Sequence, residues 1–533
     1  MRSGKVWAAT MKKEQLFKAA GIIAAASILS KILGFGRETS MAAVFGTSHA
    51  TDAYLVALII PGMLFATVGT ALTTTLIPVY TRRVYEEGEQ AGWQFINSLL
   101  NLALVACLVI TGLALLAAPV VVRIVAPGFQ GATYTLTVLL TRVLLPTMVL
   151  QGAIAVITGL LQANQRFTFP ALTGIPYNIL LIAAILWGGR HFGVLAVAIG
   201  MELATLSQVV IMMPGLREIH YDYRWLLNLR DSGMIMVGKM IIPVILATGA
   251  SQLGLVVDRM LASGLPEGSI AALNFGFLLS QFPLGIFAVA VSTVIYPTFS
   301  EYAAKKDLEG LRRALVAGVR VTLFIVLPMS VAFVVLRQPM VRVLFQRGAF
   351  DPRATGLTAY ALLFFSLGLV PMALRDLISR VYFSLQDTMT PMLLGIGAVA
   401  VNIVLNLLLI RPLAHGGLAL STSLAALFAM VLLFVVLRRR IGGLGGKEML
   451  DGFWRICVAS GVMGLVVIIA WGPLGHLCQG RGFIWNAGCL AVVILIGTVI
   501  YGIVSFLLRL PELGLFIDFG RRAAKRLLAG SAS

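Results

Sequence analysis

The sequence predicts an all-α polytopic membrane protein of about fourteen transmembrane helices, built as two parallel six-helix repeats plus two C-terminal helices. Three observations predict it. Of its 533 residues, 59% are hydrophobic and only 12% charged, with a mean hydropathy of +0.95. A soluble chain of this size carries about a quarter of its residues as charges. Apolar windows of about 20 residues recur from Ala19 to Leu508, each long enough to cross a hydrocarbon core. They lack the period-two alternation of an outer-membrane barrel, so they read as helices. Third, the chain repeats itself.

The repeat appears at an offset of about 220 residues, a period of six spans, so both copies share one orientation across the membrane. Pro78 of LIPVY falls on Pro297 of VIYPTF, and Val122–Val125 on Val341–Leu344. APGF (126–129) falls on QRGAF, LQANQRFTFP on FSLQDTMTP, Asn178 on Asn402, and His191–Ala196 on His415–Leu420. The organisation that follows is a cytoplasmic segment (1–18), an N-lobe of spans one to six (19–216), and a cytoplasmic linker (217–232). A C-lobe of spans seven to twelve (233–438), a Gly-rich linker (439–452), spans thirteen and fourteen (453–508) and an amphipathic cytoplasmic tail (509–533) complete it. No soluble domain fits, because the polar stretches run only about 15 to 25 residues.

The formal charge of +19 is spread over many short loops, which excludes a nucleic-acid-binding face. Roughly 25 of the 41 Lys and Arg residues fall on one side, among them Lys12, Lys13, Lys305, Lys306 and Arg438–Arg440. The positive-inside rule then places both termini in the cytoplasm, with anionic lipid as the partner of the basic loops. Arg337–Arg353 runs against the rule. The basic N-terminal stretch lacks a small-residue cleavage site and reads as retained. Cys107, Cys457, Cys478 and Cys489 have no CxxC or metal spacing and read as isolated cysteines. The segment GGLGGKE lacks phosphate-loop spacing, so no nucleotide site is expected. The five histidines form no cluster in sequence.

Ionisable residues within spans are costly and must face protein or a watery cavity. The first span, AAGIIAAASILSKILGFGRETSMAAVFG, holds Lys31, Arg37 and Glu38, with Gly34 and Gly36 placed to loosen the helix. Lys31 and Arg37 point roughly 120° apart on a helix, so both can line one broad wall. Such cations suit phosphate or pyrophosphate, which Arg grips with its planar fork; the rival reading is an Arg–Glu pair tying spans together. The seventh span repeats the theme with Lys239, Asp258 and Arg259, where an acid suits Na⁺ or H⁺ coupling or a local pair. Asp52 opens the second span, where helix capping competes with a substrate role. Arg142, Glu202, Arg320, Arg375, Asp376 and Arg380 are further intramembrane charges. Prolines inside spans (Pro61, Pro146, Pro176, Pro243, Pro283, Pro371) predict kinks.

These residues together resemble the MurJ/MviN family, lipid II flippases of the multidrug/oligosaccharidyl-lipid/polysaccharide exporter superfamily. The resemblance rests on SKILGFGRE (30–38), TDAYLVALIIP (51–61), APGF (126–129), QANQRF (162–167), FQRGAF (345–350) and QDTMTP (386–391), in order along nearly the whole chain. It implies two six-helix lobes around a central cavity, with the last two helices forming a groove for a lipid tail. The implied substrate is undecaprenyl-pyrophosphate carrying a disaccharide-pentapeptide, moved from the inner to the outer leaflet by alternating access. Arg37 matches the family's first-helix arginine, Glu38 stands where an aspartate is usual, Lys31 replaces a second arginine, and Asp52 matches a second-helix aspartate. Two further family arginines are replaced by Phe65 and Leu278. For the sodium site of some members, Asp258, Asn402 and Thr422 match, while Asn406 stands where an acid would be.

The expected function is therefore a monomeric lipid II flippase of the bacterial inner membrane, driven by Na⁺, H⁺ or the membrane potential and needing no other cofactor. The expected substrate-binding residues are Lys31, Arg37, Glu38, Asp52, Arg142 and Lys239. The tentative ion-coupling set is Asp258, Asn402, Asn406 and Thr422. An exporter of another polyprenyl-linked glycan is the alternative. A membrane glycosyltransferase fits less well, since it needs placed carboxylates or histidines on substantial external loops.

Overall fold

A computed structural model describes residues 13–443, 446–478 and 482–514. The sequence-predicted N-terminal segment (1–18) and amphipathic tail (509–533) fall largely outside the described residues. Among the described residues these helices follow one another: α1 (Lys13–Phe45), α2 (His49–Glu87), α3 (Glu89–Val125), α4 (Gly131–Leu144), α5 (Thr147–Ala163), α6 (Thr168–Leu172), α7 (Gly174–Ala183), α8 (Gly189–Phe192), α9 (Val194–Glu218), α10 (Ser232–Ser263), α11 (Ser269–Pro283), α12 (Val289–Ala304), α13 (Leu308–Phe345), α14 (Pro352–Leu367), α15 (Leu369–Ser384), α16 (Met389–Leu413), α17 (His415–Ile441), α18 (Gly446–Cys478) and α19 (Phe483–Leu507). Single π-helical turns join α7 to α8 (Ala184–Gly188) and α11 to α12 (Leu284–Ala288). Ten helical stretches among the described residues are long and apolar enough to cross a membrane, eleven with the bent pair α14–α15 counted as one. The helices α1, α2 and α10 have the length of a span, at 33, 39 and 32 residues, and they carry Lys31, Arg37, Glu38, Asp52, Lys239, Asp258 and Arg259.

The repeat is visible in the helix boundaries. The stretches α3, α4, α5 and α9 recur as α13, α14, α15 and α17, and the span from Thr168 to Phe192 recurs as α16. The turns between them recur as well: Gln165 and Gln386, which end LQANQ and FSLQ, both adopt a left-handed backbone at φ 59° and 60°. The sequence register needs one correction. Because α9 begins at Val194 and α17 at His415, Pro412, not His415, stands opposite His191. Val399 likewise stands opposite Asn178, nearly one helical turn before Asn402.

The chain forms two compact units, Met1–Gly268 with Arg347–Phe350, and Ser269–Gln346 with Asp351–Ser533. In the first, Leu76, Phe95, Leu160, Met212 and Val237 bring α2, α3, α5, α9 and α10 into one core. Thus α10, the first helix of the second sequence repeat, packs against α2 and α3. The segment 220–231 is strapped to α3: Asn97 and Asn101, one turn apart, receive hydrogen bonds from the Tyr221 and Tyr223 hydroxyls (2.5 and 2.8 Å). Their amides donate to the carbonyls of Asp222, Arg224 and Leu226. Asp231 then caps α10 by accepting the Gly233 and Met234 N–H groups and pairs with Arg83.

In the second unit α13 is central, packed on by α14, α15, α18 and α19. Lipid is as apolar as leucine, so helices here associate through small residues and interhelical hydrogen bonds. Gly464 of α18 accepts Val331 of α13, and Gly497 of α19 accepts Val467 of α18. The Tyr501 hydroxyl donates to the Phe324 carbonyl at 2.8 Å, and the Tyr382 hydroxyl to the Leu433 carbonyl at 2.9 Å. Asp307 and Asp351 cap α13 and α14.

The cysteines correct the sequence reading. Cys478 and Cys489 form a disulfide joining the end of α18 to α19, while Cys107 and Cys457 are free. A sequence separation of 11 resembles no short motif; only the antiparallel pairing of two helices brings the sulfurs together. In denaturing detergent, maleimide-polyethylene glycol should modify two cysteines before reduction and all four after it; four adducts without reductant would show the bond to be absent.

Candidate functional site

The helix α1 runs unbroken through Gly34 and Gly36, so these glycines do not loosen it. They instead face α7, where a side chain on Gly34 would meet Asn178 Oδ1 and one on Gly36 would meet Ile182. The closest approach is made by Gly174 at the start of α7: a Cβ there would lie 2.1 Å from Ser30 Oγ. The Asn178 amide fixes the contact, donating to the Gly174 carbonyl at 2.7 Å and to the Ser30 carbonyl of α1 at 3.3 Å.

Arg37 lies on this seam. Its Nε and Nη2 both donate to Glu38 Oε1, at 3.1 and 2.5 Å, and Nη1 reaches Asn178 Oδ1 at 3.5 Å. The guanidinium sits over the Tyr177 ring, 5.9 Å from its centroid, an arrangement the ring quadrupole favours. The Arg37 side chain is 28% exposed and that of Glu38 17%, so both stay reachable. They open on a cavity of about 120 Å³ lined also by Tyr54, Leu58, Tyr177 and Met201. The rival sequence reading was a pair tying spans together; here the pair is local to α1, and the tie between helices runs through Asn178. Chemically, Glu38 holds Arg37 in place but neutralises it, so an incoming phosphate must compete with that carboxylate. Lys31, exposed and without a hydrogen bond or ion pair among the described residues, adds an uncompensated positive charge on the same helix.

The other predicted site residues are placed differently. Arg142, in the last turn of α4, and Lys239, on α10, are exposed and stand apart from the Arg37 pocket. Asp52 is buried at 4% exposure and accepts the Gly268 N–H at 2.7 Å. It therefore does not cap its own helix, whose N-cap is Ser48; it closes the 264–268 turn onto α2. Arg259 is surrounded in charge by Asp258 and Asp52. Asp258 belongs to the first compact unit, and Asn402, Asn406 and Thr422 to the second. There the Asn406 amide donates to Asn402 Oδ1 at 3.1 Å, and the Thr422 hydroxyl donates to the Leu418 carbonyl. Among the described residues no three His, Cys, Asp or Glu side chains converge as a metal group. Glu202 is engaged by the Thr147 N–H and hydroxyl at the α4–α5 break.

Sequence reasoning missed Tyr177 and the pairing role of Asn178. It also missed a second cavity, of about 620 Å³, that Tyr177 lines as well. Gln151 and Thr158 on α5, Thr205 and Gln208 on α9, and Thr73 on α2 line it, with Phe65 at its edge. The signal was present: Gln151 and Thr158 are two turns apart, and Thr205 and Gln208 one turn, each on one face of an otherwise apolar span.

A polytopic helical bundle with an arginine-centred pocket inside its span layer has the plan of a transporter for an anionic amphiphile. A model of the lipid II flippase MurJ family matches residues 41–476, and the chain belongs to that family. The "probable lipid II flippase MurJ" of Rhizobium tropici is 30% identical over 534 residues, covering 96% of this chain and 97% of that protein. The lipid II flippase MurJ of Burkholderia cenocepacia is 28% identical over 435 residues, covering 80% and 84%. Among solved structures, a lipid II flippase MurJ in an inward closed conformation superposes with a TM-score of 0.76 at 24% identity, over 91% of this chain and 98% of that one. An inward-facing MATE-family multidrug transporter reaches 0.65 at 18% identity, over 78% and 98%. These structural likenesses establish the shared fold.

If Glu38 competes for Arg37, removing its charge should strengthen anion binding. Titration calorimetry with inorganic pyrophosphate is expected to give about tenfold tighter binding for Glu38→Gln than for the wild type, the scale of one charge-assisted hydrogen bond released to the ligand. Unchanged or weaker binding would mean that the pair acts as a unit.

Proposed function

We propose that this inner-membrane protein flips lipid II, carrying its pyrophosphate-linked disaccharide-pentapeptide from the cytoplasmic to the outer leaflet by alternating access. The observation that carries the reading, beside family membership, is Arg37: a guanidinium bedded on Tyr177 and Asn178, reachable from a cavity inside the span layer. An anionic headgroup crossing a hydrocarbon core about 30 Å thick needs its water replaced by fixed donors. Arg37 supplies a planar fork for the pyrophosphate, Lys31 a mobile charge that meets it, and Glu38 a release mechanism, since it recaptures the guanidinium when the anion leaves. Arg142 and Lys239, exposed on their helices, act in attracting the anionic lipid, and Asp52 acts through the turn it holds. The prenyl chain stays in lipid, beside the exposed apolar faces of α18 and α19, where Ile469 and Phe506 are each 72% exposed.

The reading is of a monomeric transporter without catalytic chemistry, with both termini in the cytoplasm and basic loops on anionic lipid. Coupling to an ion is a further part of it. Asn402 and Thr422 offer oxygens of the kind that fit Na⁺, but Asn402 Oδ1 already accepts from the Asn406 amide. Replacing that donor with a carboxylate should favour the ion: Asn406→Asp is expected to raise the Na⁺-dependent gain in melting temperature of the purified protein over K⁺ controls. A sodium response identical to wild type would exclude Asn406 from any ion site.

The decisive test is complementation of a bacterium depleted of its own lipid II flippase, with lipid II exposure on the outer leaflet as the readout. The wild-type chain should rescue. Arg37→Ala should insert and fold yet abolish exposure, and Arg37→Lys should retain part of it. Normal flipping by a well-folded Arg37→Ala protein would remove Arg37 from the mechanism. Failure of a well-inserted wild-type chain would favour a sister exporter of another polyprenyl-linked glycan.

A further inference from the structure

The second cavity lined by Tyr177 has a composition that the pyrophosphate chemistry does not use. Its polar side chains come from three helices: Thr73 on α2, Gln151 and Thr158 on α5, Thr205 and Gln208 on α9. None is charged. The three threonine hydroxyls each spend their proton locally, on the Gly69 carbonyl, Met212 Sδ and the Met201 carbonyl, and so present acceptor lone pairs. The two glutamine amides are half-buried, and neither makes a hydrogen bond to another described residue. Inside a membrane protein such groups are expensive unless something polar fills the space they face. Here they face a cavity of about 620 Å³, within the usual range of about 300–1,000 Å³ for small-ligand sites.

The same Tyr177 lines both cavities: Arg37 sits over its ring, and Gln151 and Gln208 share the second cavity with it. Phe65 lies at the edge of the polar cavity, its ring against Gly69, whose missing Cβ leaves the room. An aromatic face, two amides that donate and accept, and hydroxyl acceptors are what an uncharged sugar with hydroxyl and acetamido groups requires. A peptide ending in a carboxylate would find no cation there.

We propose that the Gln151–Gln208 cavity is the saccharide subsite, holding the neutral sugars of the headgroup while Arg37 holds the pyrophosphate. The assignment rests on the flippase reading, and it separates recognition into a charged subsite for the linkage and a neutral one for the glycan. The subsite distinguishes a glycan-loaded carrier from the bare carrier lipid, which has the same pyrophosphate.

The test measures binding of three lipids to the full chain in nanodiscs: undecaprenyl pyrophosphate, the same lipid bearing the disaccharide alone, and the lipid bearing the disaccharide-pentapeptide. The double variant Gln151→Leu, Gln208→Leu should bind both sugar-bearing lipids more weakly, by about tenfold or more, and the bare lipid within about twofold of wild type. Arg37→Ala should weaken all three. Should the double variant not be recovered folded, Gln208→Ala and Thr158→Val, made singly, carry the same comparison. Equal weakening toward all three lipids, or none toward the disaccharide lipid, overturns the subsite. Weakening confined to the pentapeptide-bearing lipid overturns it in favour of peptide recognition. A wild-type chain that binds none of the three overturns the flippase reading itself, and the subsite with it.

Discussion

A polar group inside a bilayer has no water to fall back on, and the contact between α1 and α7 is organised by that constraint. Arg37 cannot sit in hydrocarbon alone. It is held by Glu38 beside it, by Asn178 across the seam and by the Tyr177 ring below it. The seam closes because Gly174 has no side chain where Ser30 must pass, and because Asn178 donates to backbone carbonyls of both helices. Packing and site are thus one structure: the amide that joins α1 to α7 also positions the cation.

The same constraint shapes much of the polar interior. Asn97 and Asn101 are buried in α3 yet satisfied, because they take up the tyrosines and carbonyls of the 220–231 strap. Asp52 is buried yet satisfied by the Gly268 N–H. The hydroxyls of Ser330, Ser423, Tyr382 and Tyr501 each find a backbone carbonyl on another helix. Some buried hydroxyls, those of Thr141, Thr358 and Ser460, have no partner among the described residues. The two glutamine amides differ from these in lining an open cavity.

Two helix-pairing features are set by backbone geometry. The left-handed turns at Gln165 and Gln386 recur because both repeats must reverse direction in the same few residues at the membrane edge. The break between α4 and α5 at Pro146 and the one between α14 and α15 at Gly368 occupy equivalent places, although proline makes the first and glycine marks the second. Equivalent breaks thus occur with different residues at the break, and only the second carries a bend of 42°.

The all-helical class, the succession of spans, the repeat and the presence of charges within the first span were legible in the sequence, because hydropathy, helical period and charge within apolar runs are local quantities. What the charges did was not legible. From position alone Lys31, Arg37, Glu38, Asp52, Arg142 and Lys239 looked alike; the fold gathered Arg37 and Glu38 with Tyr177 and Asn178, buried Asp52 against a turn 216 residues away, and left Arg142 and Lys239 exposed. The Cys478–Cys489 bond, the slip of the Asn178 and His191 matches, and the glutamine-lined cavity were equally hidden. Each depends on which faces of two distant helices meet, and the tertiary structure alone decides that, since a helix carries its side chains in every direction and only its neighbours determine which of them become a site.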